Sequence, residues 1–174
     1  MSGGETVVDC YCGTGTISLY LAKHAQKVYG IEIIASAIED AKRNAEDNRC
    51  DNAEFILGDA AVKMQELVEQ GVRPEVVLLD PPRAGCEEKV LAAIAQVMPQ
   101  RIVYVSCNPA SLARVWLIWN RTVIRLKLPS RRYVPDDASC RDCCIDDNSK
   151  KIKLWSPVAR HCNLRRAESN GLIK

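Results

Sequence analysis

Between residues 5 and 119 short apolar runs alternate with amphipathic stretches, and nearly every apolar run stops at a polar residue, a glycine or a proline. The runs fall at residues 6–10, 28–31, 55–57, 75–79 and 101–105. The stretches between them have helical spacing at 15–25, 35–48, 60–70 and 87–97. Gly71 and Pro99 stop two of these helices. Apolar runs without polar alternation belong to strands buried on both faces, and strands separated by helices pair in parallel through crossovers. The pattern therefore predicts an α/β fold with a mostly parallel, Rossmann-like sheet and helices on both faces. In such open sheets ligands bind just beyond the carboxyl ends of the strands, so the residues at the run ends carry the functional question.

A length of 174 residues suits one domain with an ordinary core. No apolar stretch of about 18 residues occurs, so no membrane span is expected. The first five residues lack the charged and apolar regions of a secretory leader. Nine cysteines, an odd number scattered through apolar runs, do not form a disulfide pattern. These features predict a reducing, intracellular location, cytoplasmic or nuclear. The formal charge of +2 conceals a division. Residues 1–120 carry 11 Lys+Arg against 16 Asp+Glu, a net of −5, whereas residues 121–174 carry 13 against 6, a net of +7. A basic stretch of this kind is either a solvated tail or a contact for nucleic acid.

Three run ends carry chemistry. The first leads into Tyr11-Cys-Gly-Thr-Gly-Thr16, where Gly13 and Gly15 permit a tight turn and close approach of a ligand to the backbone. Position 18 is Ser, so the dinucleotide Gly-x-Gly-x-x-Gly pattern is incomplete. Glu32 ends the second run, where an acid can accept ribose hydroxyls of an adenosine. S-adenosylmethionine is thus favoured over a nicotinamide dinucleotide, with a ligand-free turn as the plain alternative. The fourth run ends in Asp80-Pro-Pro-Arg83, whose prolines stiffen the turn that presents the aspartate. Adenine-amino methyltransferases have an aromatic residue after a comparable Pro-Pro; Arg83 stands there instead. The fifth run ends in Val105-Ser-Cys-Asn-Pro109, which puts the Cys107 thiol past the apolar segment. Cys10, Cys12, Cys50 and Cys86 are expected to be small core residues.

Taken together, Asp9-Cys-Tyr-Cys-Gly-Thr-Gly-Thr16, Gly30-Ile-Glu32, Asp80-Pro-Pro-Arg-Ala-Gly85 and Val105-Ser-Cys-Asn-Pro109 resemble the class I RNA uracil-C5 methyltransferases, and the wording is most similar to the eukaryotic tRNA uracil-54 branch. The resemblance covers residues 5–114 in order and spacing. It implies that Tyr11, Gly13, Gly15, Thr16, Glu32 and Asp80 bind S-adenosyl-L-methionine, with Asp80 between cofactor and base, and that Cys107 is the nucleophile. It implies an RNA substrate, tRNA first. The chemistry suits a thiol: uracil C5 is a poor nucleophile until a thiolate adds at C6, and a base must afterwards remove the C5 proton.

The family pattern also includes an RNA-binding domain and a glutamine-containing motif, which these residues do not show. It places its base, a glutamate, in a Phe-Pro-x-Thr-x-His-x-Glu stretch. Ser156-Pro-Val-Ala-Arg-His-Cys-Asn163 echoes that stretch but has Asn163 at the glutamate position, and an amide takes no proton there. The alternative function is accordingly a cofactor- or RNA-binding remnant without a base. The expected division is a methyltransferase core over 1–119 and a divergent, basic, loose tail over 120–174. Residues 123–128 are a possible strand in that tail, but the late strands that flank the fifth are expected to be missing, leaving an open sheet edge. Cys140, Cys143, Cys144, His161 and Cys162 could in principle hold zinc, but lack a second Cys-x-x-Cys pair, so no metal is expected. The sequence says nothing of oligomeric state.

Overall fold

The structure, a computed structural model, describes residues 3–106, 108–122, 143–147 and 150–155. Strands β1 (Thr6–Asp9), β2 (Lys27–Glu32), β3 (Ala53–Leu57), β4 (Val76–Leu79) and β5 (Arg101–Val105) alternate with helices α1 (Thr16–Ala22), α2 (Ala35–Asp47), α3 (Ala60–Glu69) and α4 (Glu88–Val97). Helix α5 (Pro109–Thr122) follows, and then strands β6 (Cys143–Asp147) and β7 (Lys150–Trp155). The sheet order is β3-β2-β1-β4-β5-β7-β6. The first five strands are mutually parallel. The expected α/β architecture is therefore present. Chain order reverses between β1 and β4, which opens a crevice at their carboxyl ends.

Successive residues of a strand point to opposite faces, and the core divides accordingly. Val7, Val28 and Val76 pack with Leu19 and Ala22 of α1 and Ile38 and Ala41 of α2. Val8, Ile31 and Val77 pack with Met64 and Leu67 of α3, Val90, Leu91 and Ile94 of α4, and Val115 and Trp119 of α5. All four residues of β4 are buried, as a central strand covered on both faces requires. Asp59 caps α3 by accepting from the Ala61 and Val62 N–H groups. Met98, in a left-handed conformation at φ 56°, and Pro99 end α4.

Two expectations are corrected. Helix α5 continues to Thr122 rather than losing regularity near Trp119. Its residues Ser111, Val115 and Trp119 recur every fourth position and are all buried, so the tryptophan is core. The edge beside β5 is not open either. β7 pairs with it in parallel over Arg101–Val105, and β6 adds antiparallel to β7. The signal was the alternation Lys151-Ile-Lys-Leu154, preceded by the turn-forming Asp146-Asp-Asn148. The possible strand at 123–128 lies outside the described residues.

Candidate functional site at the carboxyl edge of the sheet

Asp9 is the last residue of β1 and 1% exposed. Its Oδ2 accepts from the Ser18 hydroxyl at 2.7 Å, while Oδ1 is buried without a hydrogen-bond partner. Burial pushes its carboxyl up to about 6, although the Ser18 and Tyr11 hydrogen bonds act the other way, and the neighbouring charges of Asp80 and Glu32 raise it further. Asp9 opens the Asp9–Thr16 motif, although it is not among the residues the sequence assigns to the site. Its signal was an acid at the end of an otherwise apolar strand, directly before a glycine turn.

That turn uses its two glycines differently. Gly15 has φ 84°, and a Cβ there would lie 2.8 Å from the Phe55 ring and 3.2 Å from Ala41, so the missing side chain lets α1 seat on β3 and α2. Gly13 has φ 53° and nothing within 4 Å of a would-be Cβ. Its bare side faces open space, which leaves the backbone accessible to a ligand. Thr16 begins α1 and is exposed.

Glu32 ends β2 and locks that turn. Its Oε2 accepts from Gly13 N–H at 3.1 Å, and its Oε1 accepts from Ile33 N–H at 2.8 Å and Ile34 N–H at 3.1 Å. A carboxylate offers about four acceptor positions, so about one remains, on Oε2. Ile33 and Ile34 beside it are 68% and 57% exposed, and Leu57 at the end of β3 is 48% exposed, an apolar floor next to the free acceptor.

Asp80 follows β4 and is exposed at the crevice lip, where partial desolvation raises its carboxyl modestly. The structure thus brings Tyr11, Gly13, Gly15, Thr16, Glu32 and Asp80 to one edge of the sheet. Behind Asp80, the loop 81–87 is held from two sides. Arg114 of α5 donates to the Ala84 carbonyl at 2.6 Å, and Asn108 Nδ2 donates to the Arg83 carbonyl at 3.3 Å. From below, the Tyr11 hydroxyl meets Cys86 Sγ at 3.3 Å. Cys107 lies outside the described residues. Its neighbours are tightly bound to one another: Ser106 Oγ accepts from Asn108 N–H at 3.1 Å, and Ser111 Oγ donates to the Asn108 carbonyl at 2.8 Å. Cys10, Cys12, Cys50 and Cys86 are buried, as expected of core thiols.

The charge of this edge discriminates between ligands. Asp9, Glu32 and Asp80 put three carboxylates around the turn, one with an unsatisfied buried oxygen. A pyrophosphate would meet repulsion from all three, whereas a cationic ligand with N–H donors would be stabilised. These charges favour S-adenosylmethionine, with its sulfonium and amino group, over a nicotinamide dinucleotide. Among the described residues no group of three or more His, Cys, Asp or Glu side chains is arranged to hold a metal ion. Cys140, His161 and Cys162 lie outside them. Among the described residues no helix is long and apolar enough to cross a membrane.

Comparison with known proteins agrees with this geometry. The sequence model of the tRNA (uracil-5-)-methyltransferase family matches residues 2–122, and the chain belongs to that family. It is 54% identical over 114 residues to an uncharacterised RNA methyltransferase of Clostridium tetani, an alignment covering 66% of this chain and 25% of that protein. The chain therefore spans about a quarter of the length of the curated relatives it matches. Among solved structures it resembles a Pyrococcus abyssi tRNA (uracil-54, C5)-methyltransferase in complex with S-adenosyl-L-homocysteine, with 32% identity and a TM-score of 0.56 over 73% of this chain and 29% of that one. A putative rRNA methylase from Clostridium thermocellum, at 18% identity and a TM-score of 0.57, covers 80% of this chain and 83% of its own and supports the fold.

Proposed function

We propose that this chain carries the methyl-transferring core of an RNA uracil-C5 methyltransferase, acting on uridine in tRNA. The observation that carries the reading is the acidic turn at the sheet's switch point, which combines an unpartnered Asp9 Oδ1, a bare Gly13 and a Glu32 anchored to that glycine's N–H. S-adenosylmethionine supplies an electrophilic methyl group on a sulfonium. Asp9 accepts from its ammonium group, Glu32 takes a ribose hydroxyl on Oε2, and Ile33, Ile34 and Leu57 cover the adenine. Tyr11, Gly15 and Thr16 shape the turn around it, and Asp80 stands between cofactor and base.

Cys107 then acts as the nucleophile. Its thiolate adds to uracil C6, and the electron pair moves to C5, which becomes the methyl acceptor. Loss of the C5 proton to a base expels the thiolate and restores the aromatic pyrimidine. In this reading the base lies between the loop 81–87 and the segment tied together by Ser106, Asn108 and Ser111. We further assign residues 1–119 to this core and 120–174 to a basic C-terminal part that includes the β6–β7 hairpin. The four buried free thiols suit a reducing, intracellular setting, cytoplasmic or nuclear.

The test is incubation of the chain with a uridine-containing tRNA transcript and methyl-labelled S-adenosylmethionine, followed by a denaturing gel. Labelled RNA, free or joined covalently to protein, is expected, and Cys107→Ala should abolish it while cofactor binding persists. A covalent band that never resolves would mean that transfer occurs and the base is wanting. No label in either species would overturn the catalytic reading.

A further inference from the structure

Tyr11 and Cys86 are 75 residues apart in sequence, yet the phenol of one meets the thiol of the other at 3.3 Å. The two belong to different walls of the crevice. Tyr11 sits in the glycine turn after β1. Cys86 ends the loop after β4 that carries Asp80 and Arg83. Most of that loop is exposed, from Pro82 to Ala84, but Cys86 is only 4% exposed and packs in the core beneath it. It is the loop's buried anchor. A second phenol packs in the same cluster: Tyr104 of β5 is fully buried, and its hydroxyl has no hydrogen-bond partner.

Burial keeps this thiol protonated, raising it to about 11, so Cys86 is a hydrogen-bonding group at neutral pH and not a second nucleophile. The loop's other attachments, through Arg114 and Asn108, come from α5 and the fifth strand's end. Only the Tyr11–Cys86 contact, among the hydrogen bonds described, joins the loop to the glycine turn.

We infer that Cys86 is a positioning residue: through Tyr11 its thiol links the cofactor turn to the loop bearing Asp80 and Arg83, so that occupancy of the turn and the placement of that loop depend on each other. The inference rests on the cofactor reading given above. A turn shifted by its ligand moves the Tyr11 ring, and the Cys86 end of the loop follows. With the link cut, the turn binds its ligand without the loop's support.

The test is titration calorimetry of S-adenosylmethionine against the full chain, its Cys86→Ala, Cys86→Ser and Tyr11→Phe variants and the Cys86→Ala/Tyr11→Phe double variant, with thermal unfolding of each. Loss of the link should weaken binding about three- to tenfold, a change of the size one buried hydrogen bond gives. The double variant should bind no more weakly than the weaker single, and Cys86→Ser, which keeps a donor and acceptor, should stay within about twofold of the unaltered chain. Affinity losses that multiply, a Cys86→Ala variant that binds normally, or a fall in melting temperature with no change in affinity would each overturn the inference while leaving the cofactor reading intact. An unaltered chain that binds no S-adenosylmethionine would overturn both.

Discussion

The Ser18 hydroxyl donates to Asp9 Oδ2 at 2.7 Å and leaves Oδ1 of the same buried carboxylate with no partner. One oxygen of this side chain is satisfied by the fold, and the other is buried without a hydrogen-bond partner. Such an arrangement is costly when the group is ionised. It persists where a ligand completes it.

Asp9→Asn follows from this asymmetry. The folded-state carboxyl lies at about 6 against an unfolded value of 3.8, so between those values the folded chain binds more protons than the unfolded one. Stability therefore falls as pH rises from about 4 to 6, by about 3 kcal/mol at the full shift. Removing the charge should flatten that slope and raise the melting temperature at pH 7.5, while the two proteins converge near pH 4. Affinity for S-adenosylmethionine should move the opposite way, falling about 10- to 100-fold at pH 7.5 for loss of a charged hydrogen bond. In the unaltered chain the affinity should also decline below about pH 6. Melting curves and calorimetry across pH 4–8 read both trends; a variant less stable at pH 7.5 would show that the ionised Asp9 is satisfied in some other way.

Gly13 and Gly15 should separate binding from stability. Gly15→Ala puts a methyl 2.8 Å from the Phe55 ring in a left-handed conformation, so it should lower stability by about 2 kcal/mol or more. Trimming the ring with Phe55→Leu in the same chain should recover part of that loss. Gly13→Ala meets no neighbour, and its cost should be about 1 kcal/mol of backbone strain alone. Its methyl projects from the open side of the turn, so cofactor affinity should drop at least about tenfold. Chemical denaturation and ligand titration of the two variants would show opposite rankings.

The five-strand frame was legible first at its centre: β1 and β4 are covered on both faces and read as apolar runs, whereas the edge strand β3, with Glu54 exposed, shows in the sequence only as Phe55-Ile-Leu57. The helices between the strands have clear polar faces. β5 was placed at its observed bounds, whereas α1 ends three residues earlier than the spacing suggested, at Ala22. The late elements were harder for a physical reason. At Lys150–Trp155 lysines alternate with apolar residues, which reads as a polar tail unless the period of two is given more weight than the composition. The site was legible wherever a side chain sits at a strand end, as with Glu32 and Asp80. The internal supports were not. Nothing in the sequence pairs Tyr11 with Cys86, or Arg114 with the Ala84 carbonyl, because these contacts join segments that only the sheet order makes neighbours.

Trp119 tests whether α5 belongs to the core rather than to the tail. Its ring is fully buried, lies edge-to-face with Tyr104 at 6.2 Å between centroids, and its Nε1 donates to the Leu91 carbonyl at 3.4 Å. Trp119→Ala should cost about 3–5 kcal/mol, enough to unfold much of a domain of ordinary stability at 37 °C. Trp119→Phe, which retains an aromatic partner for Tyr104, should cost no more than about 2 kcal/mol. Near-native melting of the alanine variant would place α5 outside the cooperative unit.

Arg114 supports the loop from α5. It reaches from the exposed face of α5 to the Ala84 carbonyl, and its guanidinium lies where a Cβ on Gly85 would meet it at 3.0 Å. The contact is short and charge-assisted, but it is exposed and closes a loop that Asn108 also holds. Arg114→Ala should therefore cost no more than about 1 kcal/mol of global stability. Its effect should be local: amide hydrogens of residues 83–87 should exchange faster, while those of β1 and β4 remain unchanged. Arg114→Lys keeps the charge but not the planar, forked donor, and should restore little of that protection. If the loop instead exchanges as slowly in the alanine variant as in the unaltered chain, Asn108 and the buried Cys86 suffice to hold it.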